Sequence, residues 1–347
     1  MPNRQCYAAQ ASQNPDEPGF EIKETTIPEE IHADHVLLKV LACGVCYSDS
    51  YTVLGRMGAK FPAIPGHEVI GRVVKGGSGP AAQTFAEGSI VGVGWHGDYC
   101  TTCEACADGD FVCCENHTIS GLHMAGGYQE YMVAPARVLA RVPDGMDPVT
   151  AAPLMCAGVT VFNSLRNTNE KAKPPALVAV VGIGGLGHLA IQYAAKFGYT
   201  VVAISRGTSK KAQALELGAT HYIDSVAENS SAALQALGGA KIVLCTATNA
   251  KVMADCVDGL SRNGKLVVLG ASPESIPVSP SQIISKRKSI VGFPSGTGRD
   301  STDAMEFAQL HGIAPKTVVF DGIENAPEAY AAMRKGEYRV VVRVASE

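Results

Sequence analysis

The chain has 347 residues, which at about 150 residues per domain predicts two domains, or three. Lys plus Arg number 29 against 33 Asp plus Glu, a formal charge of −4, so the cationic excess that phosphate-backbone binding requires is absent and no nucleic-acid partner is expected. With 46% hydrophobic and 18% charged residues, the chain has ample material for large cores, and disorder is excluded as its main state.

Residues 1–6 carry no apolar stretch of the secretory type, and the longest apolar run, residues 176–186, contains glycines and is too short to span a bilayer. A cytoplasmic protein with no membrane partner is expected. Eleven cysteines in such a chain predict metal ligands, nucleophiles or buried small hydrophobes rather than disulfides.

Up to about residue 150, residues 36–40, 69–74 and 128–133 are short β-branched or aromatic runs that predict strands, separated by turn clusters such as 75–80. An irregular, mainly antiparallel β unit with long functional loops follows. Beyond Pro174 the texture changes. Residues 177–181 are entirely apolar, as in a parallel strand covered on both faces. Residues 186–197 then place Leu186, Leu189, Ala190, Tyr193, Ala194 and Phe197 at helical spacing, with Gly198 suited to the C-cap. After a strand at 201–204, helices at 212–217, 232–237 and 252–260 alternate with strands at 221–223, 241–244 and 265–269. That alternation predicts an α/β, doubly wound parallel sheet with crossover helices. The last stretch reads as a helix at 326–335 and a strand at 338–344.

Two metal signals stand out. Cys100, Cys103, Cys106 and Cys114 form a C-x2-C-x2-C-x7-C set within one loop. Four thiolates make a closed tetrahedral shell, suited to a structural zinc that also supplies folding energy. Cys113 adjoins Cys114 as a rival fourth ligand, with the spacing in favour of Cys114; unligated thiols and an iron–sulfur cluster are the weaker readings. The second signal is dispersed: Cys46, His67 and Cys156. Singly, each has a bland reading, as half of a Cys43-x-x-Cys46 redox pair, a structural histidine and a core thiol. Together, two thiolates and an imidazole make a three-ligand zinc site with an open fourth position, which polarises a carbonyl or acidifies a bound alcohol. Asp49 and Glu68 are placed to orient or tune His67.

Gly182-Ile183-Gly184-Gly185-Leu186-Gly187 is a G-x-G-x-x-G that follows an apolar strand and opens an amphipathic helix, the context of a dinucleotide fingerprint. An acidic residue at the end of the next strand would bind the ribose 2′-hydroxyl of NAD. Here that position reads Ser205-Arg206-Gly207-Thr208-Ser209-Lys210-Lys211, without a carboxylate and with three cations, which favours the 2′-phosphate of NADP(H); NAD(H) stays open, since the lysines also suit a solvated helix start.

In this order, residues 44–49, Gly66-His67-Glu68, the four-cysteine lobe, Cys156-Ala157-Gly158 and the glycine fingerprint resemble the zinc-dependent medium-chain alcohol dehydrogenases, in particular their cinnamyl-type, NADP-using aldehyde reductase branch. The resemblance implies a GroES-like, mainly β catalytic domain over 1–155 and a Rossmann domain over 156–290. A segment over 291–347 would complete the Rossmann sheet and return to the catalytic domain. It implies two zinc ions, the catalytic one on Cys46, His67 and Cys156 with Glu68 close behind as a possible ligand. Ser48 would pass the substrate proton, Thr160 would contact the nicotinamide side and Arg339 the pyrophosphate. Tyr51 stands where a relay histidine is common, and a phenol with pKa about 10 is a poor neutral-pH base, so the relay would end in water. Tyr47 similarly replaces a basic residue.

The activity implied is reversible hydride transfer between NADP(H) and an aldehyde/primary alcohol pair, by a homo-oligomer (dimer or tetramer). The alternatives are an NAD(H)-dependent secondary-alcohol or polyol dehydrogenase and, more remotely, a non-catalytic nucleotide-binding protein. Cys6, Cys43, Cys245 and Cys256 are expected to pack in cores, and His96 and His123 to hold surface or loop positions.

Overall fold

The 11-residue strand His35–Val45 organises one of two units in the computed structural model, which describes residues 5–11, 19–336 and 338–345. This unit comprises Met1–Val159, Ser295–Leu310 and Ala314–Glu347. The strand is buried along most of its length and pairs antiparallel with Val69–Gly76, Tyr131–Pro135 and Arg339–Arg343. The sheet runs Thr317–Asp321, Arg339–Arg343, His35–Val45, Val69–Gly76, Ile90–Val93, Ala140–Arg141, and only its first pair is parallel among the described strands. Val36, Leu38, Val40, Val69, Val73, Tyr128, Met132, Val340 and Val342 form its core. The expected run at 128–133 becomes a strand only at Tyr131, because Tyr128 bonds Pro65 and Ala9 through its backbone instead.

The second unit, Thr160–Pro294 with His311–Ile313, holds six parallel strands. Their order is His221–Asp224, Thr200–Ser205, Leu177–Val181, Ala240–Cys245, Leu260–Val268, Ser289–Gly292, the 3-2-1-4-5-6 arrangement of a Rossmann fold. Helices Gly187–Lys196, Lys211–Glu216, Ser230–Ala236 and Ala250–Asp258 lie where the spacing predicts them. The fifth strand begins at Leu260 rather than 265. A left-handed residue, Asn263 (φ 57°), and a register shift against Ala240–Cys245 divide it, which hid its first half in the sequence.

Two expectations for the domain division need correction. Past residue 291 only the end of Ser289–Gly292 belongs to the Rossmann sheet; Thr317–Asp321 and Arg339–Arg343 pair in the other unit's sheet. The division also falls at Val159/Thr160, inside helix Ala157–Thr168, rather than at 155/156. Helix Gly298–His311 escaped the periodicity reading because it buries mostly small or polar groups, Ser301, Thr302, Ala304, Met305 and Ala308. No single helix among the described residues is long and apolar enough to cross a membrane.

Candidate active site

Cys46 follows the last residue of His35–Val45, and His67 and Glu68 immediately precede Val69–Gly76. These strands are antiparallel neighbours with Cys43 opposite Val69, and the Gly44 N–H donates to the Glu68 carbonyl at 2.9 Å. The end of one strand therefore lies beside the start of the other. Only glycine fits at 44, since a Cβ there would meet the Glu68 carboxylate at 2.0 Å. Cys156 enters from the end of the short helix Ala152–Met155. The Cys46 and Cys156 sulfurs, a His67 ring nitrogen and a Glu68 carboxylate oxygen all lie within 4.8 Å of one another.

Asp49 sets the orientation of this cluster. Its carboxylate faces His67 Nδ1 at 3.0 Å and accepts from the Cys46 N–H at 2.9 Å and the Tyr128 hydroxyl at 2.7 Å. With Nδ1 engaged, Nε2 is the nitrogen available to a metal, and it is buried without a hydrogen-bond partner among the described residues. Trp95 packs edge-on against the ring, with centroids 4.8 Å apart. Two sulfurs and an orphaned imidazole nitrogen, its other nitrogen held by a carboxylate, fit zinc. Asp49→Asn is accordingly expected to weaken zinc affinity by about 10- to 100-fold, measured by competition with a chromogenic chelator. An unchanged affinity would separate Asp49 from the cluster.

Protons are distributed unevenly over the cluster. The Cys156 thiol donates to Cys46, which holds Cys46 well below the ordinary thiol range against the effect of burial, with His67 assisting. Cys156 keeps the shared proton, and burial pushes it further up. Burial opposes protonation of His67, but Asp49 and Cys46 outweigh it and raise its pKa. Burial pushes the Glu68 carboxyl up to about 7, against the pull of Arg339. The Arg339 guanidinium donates to one Glu68 oxygen, while the other oxygen and the Arg339 Nε are buried without partners. The unpartnered Glu68 oxygen, beside two sulfurs and an imidazole nitrogen, suits a cation.

Ser48 is half-buried at the start of helix Asp49–Val53, and its hydroxyl makes no capping bond. Tyr51, half-buried on the same helix, engages its neighbours through backbone groups, bonding Ser48 and Arg56. Tyr47 is 69% exposed. Arg339, implied to contact pyrophosphate, has its guanidinium on Glu68 within the cluster's own unit. Neither Tyr128 nor Trp95 is recognisable as part of the site from sequence, since an aromatic residue carries no spacing signal for such a contact.

In the lobe, the Cys100, Cys103, Cys106 and Cys114 sulfurs also lie within 4.8 Å of one another. Cys114 is buried inside the group, 3.6 Å from Cys100 and 3.9 Å from Cys103, whereas Cys113 is exposed and outside it. Amide and hydroxyl donors of Thr102, with the Cys103 N–H, hold Cys100 at about 5. Four converging sulfurs, one already biased to thiolate, fit a structural zinc. Cys43, Cys245 and Cys256 are buried as expected, and the side chain of Cys6 lies outside the described residues. His96 is buried rather than on a surface, and burial lowers its pKa to about 4. His123 is exposed in a loop, where Nδ1 accepts from the Ile119 N–H and Nε2 lies 3.0 Å from the Met57 carbonyl.

In the second unit the glycine loop connects Leu177–Val181 to Gly187–Lys196, with Leu186 at the N-cap. Gly182 has φ 88°, and a Cβ on Gly187 would meet the Gly182 carbonyl at 1.8 Å, so both are required by the turn and its packing. Gly184 differs, because a Cβ there would meet nothing within 4 Å. That open space, at a helix N-terminus and at the switch point between strands Leu177–Val181 and Ala240–Cys245, fits a dinucleotide pyrophosphate. Ser205 ends its strand half-buried, Arg206 is exposed, and Lys210 donates to the Ile183 carbonyl of the glycine loop at 2.6 Å rather than standing free. Thr160 is buried on helix Ala157–Thr168.

Residues 32–144 match the family model of the alcohol dehydrogenase GroES-like domain, and residues 185–326 that of zinc-binding dehydrogenases. An alcohol dehydrogenase of Penicillium expansum is 44% identical over 314 residues, covering 90% of each chain. One from Geobacillus stearothermophilus is 34% identical over 330 residues, covering 94% of this chain and 96% of that protein. The solved cinnamyl alcohol dehydrogenase of Sorghum bicolor superposes with a TM-score of 0.86 at 28% identity, covering 99% of each chain. Similarity of this extent, over both units, makes the chain a member of the zinc-type medium-chain alcohol dehydrogenases, an oxidoreductase acting on alcohols.

Proposed function

We propose that the protein interconverts an aldehyde and its primary alcohol with NADP(H), at a zinc ion held by Cys46, His67 and Cys156. The observation that carries this reading is the convergence of those three donors, with His67 fixed by Asp49 and its Nε2 left unpartnered. A zinc ion bound there would supply Lewis acidity toward the substrate oxygen, and the nicotinamide would supply or accept the hydride. The chain's own residues do the rest. Asp49 holds the His67 tautomer, and the Cys156 thiol and His67 hold the Cys46 thiol pKa down, which favours its use as a ligand. Ser48, whose hydroxyl makes no capping bond, carries the substrate proton outward, and Tyr51 does not act as the terminal base. Glu68 and Arg339 balance charge behind the cluster.

The cysteine lobe would hold a second, structural zinc. For the cofactor, Arg206 would pair with the 2′-phosphate. Arg206→Ala is expected to raise KM for NADPH about 10- to 100-fold while leaving KM for NADH nearly unchanged. The whole reading is tested by steady-state kinetics with NADPH and NADH over a panel of aldehydes, ketones and polyols, with zinc content measured alongside. The expected result is highest kcat/KM for aldehydes with NADPH. Preference for ketones or polyols with NADH would install the secondary-alcohol or polyol alternative.

A further inference from the structure

The loop after the second Rossmann strand is held by side chains of the third. At the end of Thr200–Ser205 the neighbouring strand His221–Asp224 runs parallel, with Ser205 opposite Asp224. Just past the ladder the chain turns at Gly207 (φ 67°), and both of its backbone groups are taken by that neighbour. The Gly207 N–H donates to Asp224 Oδ1 at 2.8 Å, and the Gly207 carbonyl accepts from the Tyr222 hydroxyl at 2.6 Å. The same Asp224 oxygen accepts from the Val226 N–H at 2.9 Å, so the carboxylate is itself fixed. Arg206 is therefore bracketed on both sides, while its own side chain is exposed and has no hydrogen-bond partner among the described residues. Lys210 ties the far end of the loop to Ile183 in the glycine loop.

From this geometry we infer that Tyr222 and Asp224 are positioning residues for cofactor selectivity, setting the Gly207 turn so that Arg206 is presented to a 2′-phosphate. The inference rests on the proposed use of NADP(H). Neither residue touches the phosphate; they act through the backbone, removing from binding the cost of ordering the loop. An acidic side chain close to a phosphate site would otherwise be unfavourable, but this one is already occupied by two N–H donors.

The test compares KM for NADPH and NADH, and kcat, in Arg206→Ala, Tyr222→Phe, Asp224→Ala and Asp224→Asn. Tyr222→Phe and Asp224→Ala are expected to raise KM for NADPH about tenfold, with KM for NADH and kcat within about twofold of the parent. Asp224→Asn keeps an oxygen for the Gly207 and Val226 N–H groups and is expected to retain the parental NADPH/NADH ratio within about threefold. Should Asp224→Ala fail to fold, Tyr222→Phe and Asp224→Asn decide alone. A lost preference in Arg206→Ala with an unchanged ratio in Tyr222→Phe and Asp224→Ala would overturn the inference alone. Parallel gains of NADPH affinity in both Asp224 variants would also overturn it, since charge rather than position would then be at work. An unchanged ratio in Arg206→Ala would overturn the 2′-phosphate reading itself, and the inference with it.

Discussion

Replacing Cys46 by serine is expected to lower kcat for aldehyde reduction by at least about a thousandfold, with the Kd for NADPH within about threefold of the parent. The size follows from the chemistry assigned to the cluster, since several kcal/mol of Lewis-acid stabilisation correspond to about three powers of ten in rate. Serine conserves the shape of a side chain that is 6% exposed, and the residue-46 N–H can still donate to Asp49. What is lost is a soft thiolate whose pKa the Cys156 thiol and His67 hold down. The glycine loop belongs to the other unit, so cofactor binding serves as an internal control. Zinc content should fall by one ion per chain, with cofactor Kd followed by NADPH fluorescence. Retained turnover would remove this cluster from the chemistry.

The second large effect is expected in the cysteine lobe and has a different signature. Cys114→Ser should lower the melting temperature by about 10 °C, the shift that 3–5 kcal/mol produces in a unit of this size. Residues 100–114 contain little that could pack without a metal. Phe111 stacks on Tyr99 at 4.4 Å, and the helix Glu104–Ala107 has only four residues, with Cys106 alone buried in it. Cys114 is 1% exposed and accepts from the Cys100 N–H while contacting two other sulfurs, so its loss would open the group at its centre. Zinc content should fall by one ion, the first proteolytic cleavage should move into this lobe, and kcat per folded molecule should change little. A parental melting temperature, measured by calorimetry, would contradict a structural ion at this position. The two variants therefore separate in opposite directions, one losing turnover and the other stability.

Much of this is legible in the sequence because the signals are local. An all-apolar run at 177–181, a glycine set at its end and helical spacing from Leu186 are determined by neighbours in sequence, and strand and helix appear there within a residue or two. The cysteine spacing likewise singled out Cys114 over Cys113, because a short loop can bring only certain sulfurs together. Cys46, His67 and Cys156 could be grouped only by their donor chemistry and the resemblance it led to, since no local spacing rule connects them. What joins them is antiparallel pairing between His35–Val45 and Val69–Gly76, a long-range property of the fold. The missed features share that origin. Tyr128 reaches Asp49 across 79 positions, and Tyr222 reaches back 15 positions to Gly207. Thr317–Asp321 went unpredicted because its partner strand, Arg339–Arg343, lies across an intervening helix in a sheet built mainly from the first part of the chain.

The central claim is that a zinc ion is held by two sulfurs and one imidazole in the first unit. Anomalous diffraction at the zinc edge, on crystals of the purified protein, tests it most directly. The account predicts two peaks per chain, one among the four lobe sulfurs and one about 2.3 Å from the Cys46 and Cys156 sulfurs and about 2.0–2.1 Å from His67 Nε2. A single peak confined to the lobe, in protein fully active as purified, would contradict it.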